Sequence, residues 1–154
     1  MLSPLGRFGR AALALIGKFP QKEVTANLEK EAADAHLPLK WPLRLPNSRY
    51  ALAAAEQVRI HFPELFSGVK GRLYAAHFAL GKNLGSRQVV NDCLREFGIK
   101  KQSIDSWMKG NAFQEVEKSE DAGQRLGVTG TPSWLFNGRM VSGLKPVSFF
   151  EQAW

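Results

Sequence analysis

The sequence predicts an α/β chain that is mostly helical and turns to β-structure only near its end. Two observations carry this. From about residue 21 to residue 126, apolar residues recur every three or four positions, the period of helices with one buried face. After Gly127 the pattern shifts to short extended runs on either side of Asn137-Gly138, the strongest two-residue hairpin signal. A single hairpin is too little sheet to be stable alone, and helices before and after it exclude a pure bundle.

The elements follow in order. Residues 21–35, "QKEVTANLEKEAADA", are good helix formers with Val24, Leu28 and Ala32 in one stripe. Their Glu23, Glu29, Lys30 and Glu31 read as a solvated face with i, i+4 pairs, and His36 closes the helix where a cation is favoured. "HLPLKWPLRLP", residues 36–46, carries three prolines and reads as an extended connector whose apolar side chains lie against the protein. Asn47 caps a helix over "SRYALAAAEQVRIHF", with Leu52, Ala55, Val58 and Phe62 on its inner face. Pro63 opens the next helix, where Phe66, Val69, Leu73, Ala76 and Leu80 form the stripe and Gly81 marks the end. Ser86 caps a helix that turns Val89, Val90, Cys93, Leu94 and Phe97 inward and stops at Gly98. Residues 102–109 form a short helix with Ile104, Trp107 and Met108; a longer one runs from Ala112 to Leu126 and ends at Gly127. Strands over Ser133–Phe136 and Arg139–Ser142 make the hairpin, and Lys145-Pro146 opens a last helix that the sequence barely begins before Trp154.

A chain of 154 residues suits one domain, and 44% hydrophobic content supports a core rather than disorder. The net charge of +7 is spread over short runs such as Arg7/Arg10, Lys70/Arg72 and Lys100/Lys101, most with acids interleaved. Without a concentrated basic segment or a nucleic-acid motif, this reads as a solvated surface with no specific nucleic-acid partner. The run "AALALIG" after Arg10 is too short to span a bilayer, and no small-x-small cleavage pattern follows it. No membrane partner is expected, and the expected location is cytoplasmic. One cysteine excludes an intramolecular disulfide and a multi-thiolate zinc site.

Three stretches resemble the DsbA-like thioredoxin-fold oxidoreductases, especially their FrnE-like branch. "HLPLKWPLRLPNSRYALAAAEQVR" is similar to the entry into that family's helical insertion. "FSGVKGRLYAAHFALGKNLGSRQVVNDCLREFGI" is similar to the insertion's later helices. "LGVTGTPSWLFNGRMVSGLKP" is similar to the family's "LGV.GVP.F…G.…SG.QP". The resemblance implies a thioredoxin-like fold of DsbA type. Residues 21–126 would be the helical insertion, and residues 127–154 the proline loop, hairpin and start of the last helix, all within one incomplete domain, 1–154. It also implies dithiol–disulfide chemistry on thiol-containing proteins or peptides, with Gly130, Thr131 and Pro132 as the substrate-binding loop and Thr131-Pro132 as a cis pair.

The resemblance equally marks an absence. The family's Cys-x-x-Cys needs a thiolate of lowered pKa at a helix start and a second thiol to resolve the mixed disulfide. Neither is encoded here, so no catalytic residue is assigned and the expectation is a chain truncated before that segment and inactive by itself. A related branch, which resembles glutathione-dependent chromene-carboxylate isomerases, places a serine at the same lost position. A non-catalytic binding module is the third reading, and an all-helical regulatory domain a fourth, which would require residues 128–142 to be a loop. An exposed hairpin edge invites pairing, so a homodimer through that edge is expected under the binding reading.

Individual candidates are few. Cys93 is the one possible reactive thiol, yet its apolar helix face suits a buried, inert cysteine. His61 and His77 lie on separate helices without metal-ligand spacing, so no metal and no cofactor are expected. Trp134 reads as core that could line a groove beside the proline loop, and Lys145 stands where the family pattern has glutamine.

Overall fold

The computed structural model describes residues 21–40, 46–130, 132–136, 138–143 and 145–151. Arg7, Arg10, the run AALALIG, Thr131, Asn137 and Trp154 lie outside the described residues. The helices are α1 (Gln21–Asp34), α2 (Arg49–His61), α3 (Pro63–Tyr74), α4 (Arg87–Arg95), α5 (Lys101–Lys109), α6 (Ala112–Arg125) and α7 (Val147–Glu151), with a π-helical turn at Ala75–Ala79. Strands β1 (Ser133–Phe136) and β2 (Arg139–Ser142) form a two-stranded antiparallel sheet. Among the described residues, those up to Glu117 and those from Lys118 onward belong to different compact units. Among the described residues no helix is long and apolar enough to cross a membrane.

The helical unit is built around α2, α3, α4 and α5. On α2 the buried positions are Ala51, Ala54 and Val58 on one face, with Ala53 and Gln57 beside them. The expected stripe of Leu52, Ala55, Val58 and Phe62 is therefore corrected: Leu52 is 51% exposed, and Ala55 and Phe62 are only partly buried. The reason is close packing, since small alanine side chains let the neighbouring helices approach where a leucine would hold them apart. Ala53 clusters with Ala112 and Val116, with Trp107 packed against them, and so holds the first turns of α6 in this unit. Gln57 is the polar exception. Its Nε2 is buried with no hydrogen-bond partner among the described residues, a local cost of about 1–3 kcal/mol.

Pro63 takes the first helical position of α3, where its missing N–H is not needed. Val69, Leu73 and Ala76 reach the core as expected, but Leu80 is 49% exposed. The π-turn explains this: Leu80 N–H donates to the carbonyl five residues back, on Ala75, at 3.0 Å. The wider turn slips the stripe by one residue and rotates Leu80 out. Gly81 then takes a left-handed φ of 64° and ends the helix. On α4, Val90, Cys93 and Leu94 are buried, and α5 adds Ile104 at 0% exposure. Each fully buried aliphatic side chain of this size contributes about 1.5–3 kcal/mol. Ser86 does stand at the cap position of α4, but its side chain makes no capping bond. At α2 the cap position is Ser48 rather than Asn47; Asn47 Oδ1 still accepts the Arg49 N–H at 3.1 Å and satisfies one free amide.

Two further corrections concern the chain before α2. Leu28 is 47% exposed and Ala32 only partly buried, so neither enters the core; helix propensity and the Lys30–Asp34 pair at 3.4 Å support the helix instead. His36 lies beyond the helix at φ 53°, with His36 N–H donating to Ala33 and Leu37 N–H to Ala32. It ends α1 by left-handed geometry, a position glycine usually fills. Leu37 is 64% exposed rather than laid against the protein, whereas Leu39 is partly buried and Lys40 N–H donates to Phe78 O at 2.5 Å.

In the C-terminal unit, Gly127 ends α6 at φ 83°, with Gly127 N–H on Gln124 O and Val128 N–H on Gly123 O, both at 3.0 Å. The hairpin register pairs Phe136 with Arg139, Trp134 with Val141 and Ser133 with Ser142. These are the strand bounds that the short extended runs and the Asn-Gly turn predict, and Gly138 has the left-handed φ of 73° that such a turn requires. The formed hairpin rules out the all-helical reading. Phe150 of α7 packs edge-on against Trp134 at 4.9 Å and Phe136 at 6.4 Å, covering one face of the strands.

Candidate functional site

The proline loop is held from both sides. Gly143, at φ 84°, donates its N–H to Pro132 O at 2.9 Å, extending the β1–β2 ladder by one pair beyond Ser133 and Ser142. The Ser133 hydroxyl donates to Gly130 O at 2.5 Å and ties the approach to the strand. Pro132 and Gly130 are exposed, and Trp134, 42% exposed, stands two residues on; Thr131 lies outside the described residues. One lone pair of the Pro132 carbonyl is thus already engaged by Gly143. Antiparallel bonding alternates along a strand, so Ser133 and Leu135 direct their main-chain groups away from β2. That edge could add an extended chain in β fashion.

Cys93 belongs to the helical unit. Its side chain is 1% exposed among Val90, Leu94 and the rest of the α3–α4 core. Burial pushes the thiol pKa up, and the nearby Arg72 and Lys82 charges pull it only partly back. The Arg72 guanidinium is held by Glu96 through bonds of 2.6 and 2.8 Å, which keeps the Glu96 carboxyl below its ordinary value. This is the opposite of the electropositive, exposed setting that activates a cysteine.

The histidines are not brought together. The exposed His61 ring stacks on Trp107 with centroids 5.5 Å apart and planes 2° from parallel. His77 is 8% exposed, with Nδ1 3.2 Å from Lys82 O, and meets Phe78 edge-on at 4.7 Å. Among the described residues no three His, Cys, Asp or Glu side chains gather as metal ligands. Sequence reasoning missed one feature, a cleft of about 250 Å³ lined by Asn47, Arg49, Tyr50, Gly85, Arg87 and Phe113. Its residues come from three segments separated by dozens of positions, and no linear motif announces it.

Comparison with known proteins agrees with this architecture. A model of the DSBA-like thioredoxin domain matches residues 12–154. A solved 2-hydroxychromene-2-carboxylate isomerase, in its selenomethionine form, superposes with a TM-score of 0.74 at 17% identity, covering 94% of this chain and 74% of its own. No curated protein sequence matches. At that identity the superposition speaks for the fold, which is thioredoxin-like of DsbA type. The family match extends from residue 12 through helices, proline loop and hairpin, and the chain therefore belongs to the DsbA-like thioredoxin domain family.

Proposed function

We propose that this polypeptide is related to the thiol–disulfide oxidoreductases of its family, in the FrnE-like branch, but performs no dithiol exchange by itself. It acts instead as a binding scaffold. The observation that carries this is the state of Cys93. It is the one cysteine of the chain, it is buried, and burial disfavours its thiolate. Exchange needs an exposed thiolate and a second thiol to resolve the mixed disulfide. A Cys-x-x-Cys centre working against Pro132 would therefore come from sequence or a partner outside this polypeptide. What this chain offers is the loop Gly130, Thr131 and Pro132, together with the Ser133–Leu135 edge, to an extended thiol-containing peptide or to a second copy.

Oxidation of a dithiol peptide and reduction of a disulfide substrate by the purified chain, beside Cys93→Ser, test the proposal. The expected result is no turnover by either protein. Turnover that disappears with Cys93→Ser would make Cys93 a working thiol and end the scaffold reading.

The structural neighbour favours a second reading, the isomerase branch acting on an aromatic hydroxy-carboxylate of the chromene class. Among the described residues none is assigned a catalytic role in that chemistry, so no catalytic step is written. Incubation of the purified chain with 2-hydroxychromene-2-carboxylate and glutathione, followed by absorbance, separates the two readings.

A further inference from the structure

The cleft in the helical unit is shaped by loops that side chains hold in place. Asn47 Oδ1 accepts the Arg49 N–H at 3.1 Å, and Asn83 Oδ1 accepts the Gly85 N–H at 2.9 Å. A Cβ on Gly85 would stand 3.0 Å from Asn83 Oδ1 and 3.4 Å from the Asn47 backbone N, so glycine lets the two loops pass closely. Tyr50 is fixed by its hydroxyl, which donates to Asn91 Oδ1 at 2.9 Å. Over its ring lies the Arg87 guanidinium, 5.4 Å from the centroid. A guanidinium held over a ring by cation–π attraction spends no N–H donor on that contact.

Two charges set the chemistry. Arg87 has no carboxylate partner among the described residues. Arg49 has one, Glu117, but that pair is open to water, with side chains 35% and 58% exposed. Exposed pairs of this kind are weakly held. The remaining lining includes the Phe113 ring and Tyr50. By volume the cleft exceeds the roughly 150 Å³ that holds a benzene molecule and falls just short of the usual range for drug-sized ligands.

We infer that this cleft binds a small one-ring aromatic carboxylate. The carboxylate meets the forks of Arg87 and Arg49, and the ring lies against the Tyr50 and Phe113 side. A free phosphate would satisfy the arginines but leave the aromatic side unfilled, and a neutral arene would leave Arg87 unpaired. Glu117 is then an internal competitor: its carboxylate occupies Arg49 until a ligand displaces it. This inference does not depend on whether the chain handles thiols.

The test is an amide-resolved NMR titration of the full chain with sodium benzoate, beside benzamide and inorganic phosphate. Benzoate is expected to give saturable shifts at Asn47, Tyr50 and Gly85, with benzamide and phosphate each at least about tenfold weaker. Arg87→Gln is expected to weaken benzoate about tenfold or more, and Arg87→Lys to fall between it and the parent. Glu117→Gln is expected to tighten binding a few-fold by releasing Arg49, while Lys101→Gln, away from the cleft, changes nothing. Equal affinity for benzoate and benzamide would overturn the inference, as would equal shifts with phosphate. So would an Arg87→Gln protein, folded by its spectrum, that binds benzoate as the parent does.

Discussion

Two glycines one turn apart in α3 provide the sharpest test of the packing. Helix interiors disfavour glycine by about 0.8–1.0 kcal/mol relative to alanine, whatever the neighbours. At Gly71 an added Cβ meets nothing within 4 Å. Gly71→Ala is therefore expected to stabilise by about 0.5–1 kcal/mol, raising Tm by roughly 2–3 °C for a chain of this length. At Gly68 the added Cβ would lie 2.7 Å from Phe97 Cε1 and 3.3 Å from Cζ. A ring cannot tolerate the first distance without moving, and Phe97 is packed against the core cluster. Overpacking of this kind costs about 1–3 kcal/mol, which outweighs the propensity gain. Gly68→Ala is thus expected to lose roughly 1 kcal/mol and to lower Tm by about 2–4 °C. Thermal and urea unfolding followed by far-UV circular dichroism measure both. In a Phe97→Ala background the sign at Gly68 should reverse, since the obstructing ring is gone. If Gly68→Ala raises Tm as much as Gly71→Ala, α3 and the Phe97 ring do not pack as described.

Two further outcomes follow from the core. Because folding raises the Cys93 thiol pKa, the folded state favours the neutral thiol. That stability is complete below the ordinary thiol range near pH 8.5 and is lost as pH rises through the raised folded value. Urea midpoints should therefore fall between about pH 7 and pH 10, by less in Cys93→Ala, and a native thiol that reacts with Ellman's reagent as fast as in urea would contradict its burial. Gln57→Met removes an amide whose Nε2 has no partner among the described residues, while keeping the side-chain length. It is expected to be neutral or to stabilise by about 1–2 kcal/mol in urea unfolding, and a loss above about 1 kcal/mol would mean that the amide is satisfied after all.

The hairpin was the most legible part of the sequence. Its turn chemistry is local: Asn-Gly admits the left-handed geometry, and the two-residue turn then sets the register. Helix existence was legible for the same reason, and Gly81, Gly98 and Gly127 marked three helix ends. His36 was not legible as a helix end of the same kind, because a histidine at positive φ carries no composition signal. Leu80 could not be read either. Its spacing from Ala76 is correct for an α-helix, and only a hydrogen bond to Ala75 shows that the turn is wider there. Of the candidate site, the proline loop was visible as a resemblance in residues 126–146, whereas the Arg49–Arg87 cleft was not visible at all.

By itself the sequence determined the local choices: where helices run, where the hairpin turns, and that a single cysteine leaves no pair for exchange. These depend on residues within a few positions of one another, or on a simple count. The tertiary structure decided which faces are buried, that alanines rather than Leu52 close α2 on its neighbours, and that Gly68 and Gly71 differ. It also brought Arg87 over Tyr50, 37 positions apart in the numbering of the chain. The physical reason is that packing and desolvation depend on distances between groups far apart in sequence, and no local pattern encodes those distances.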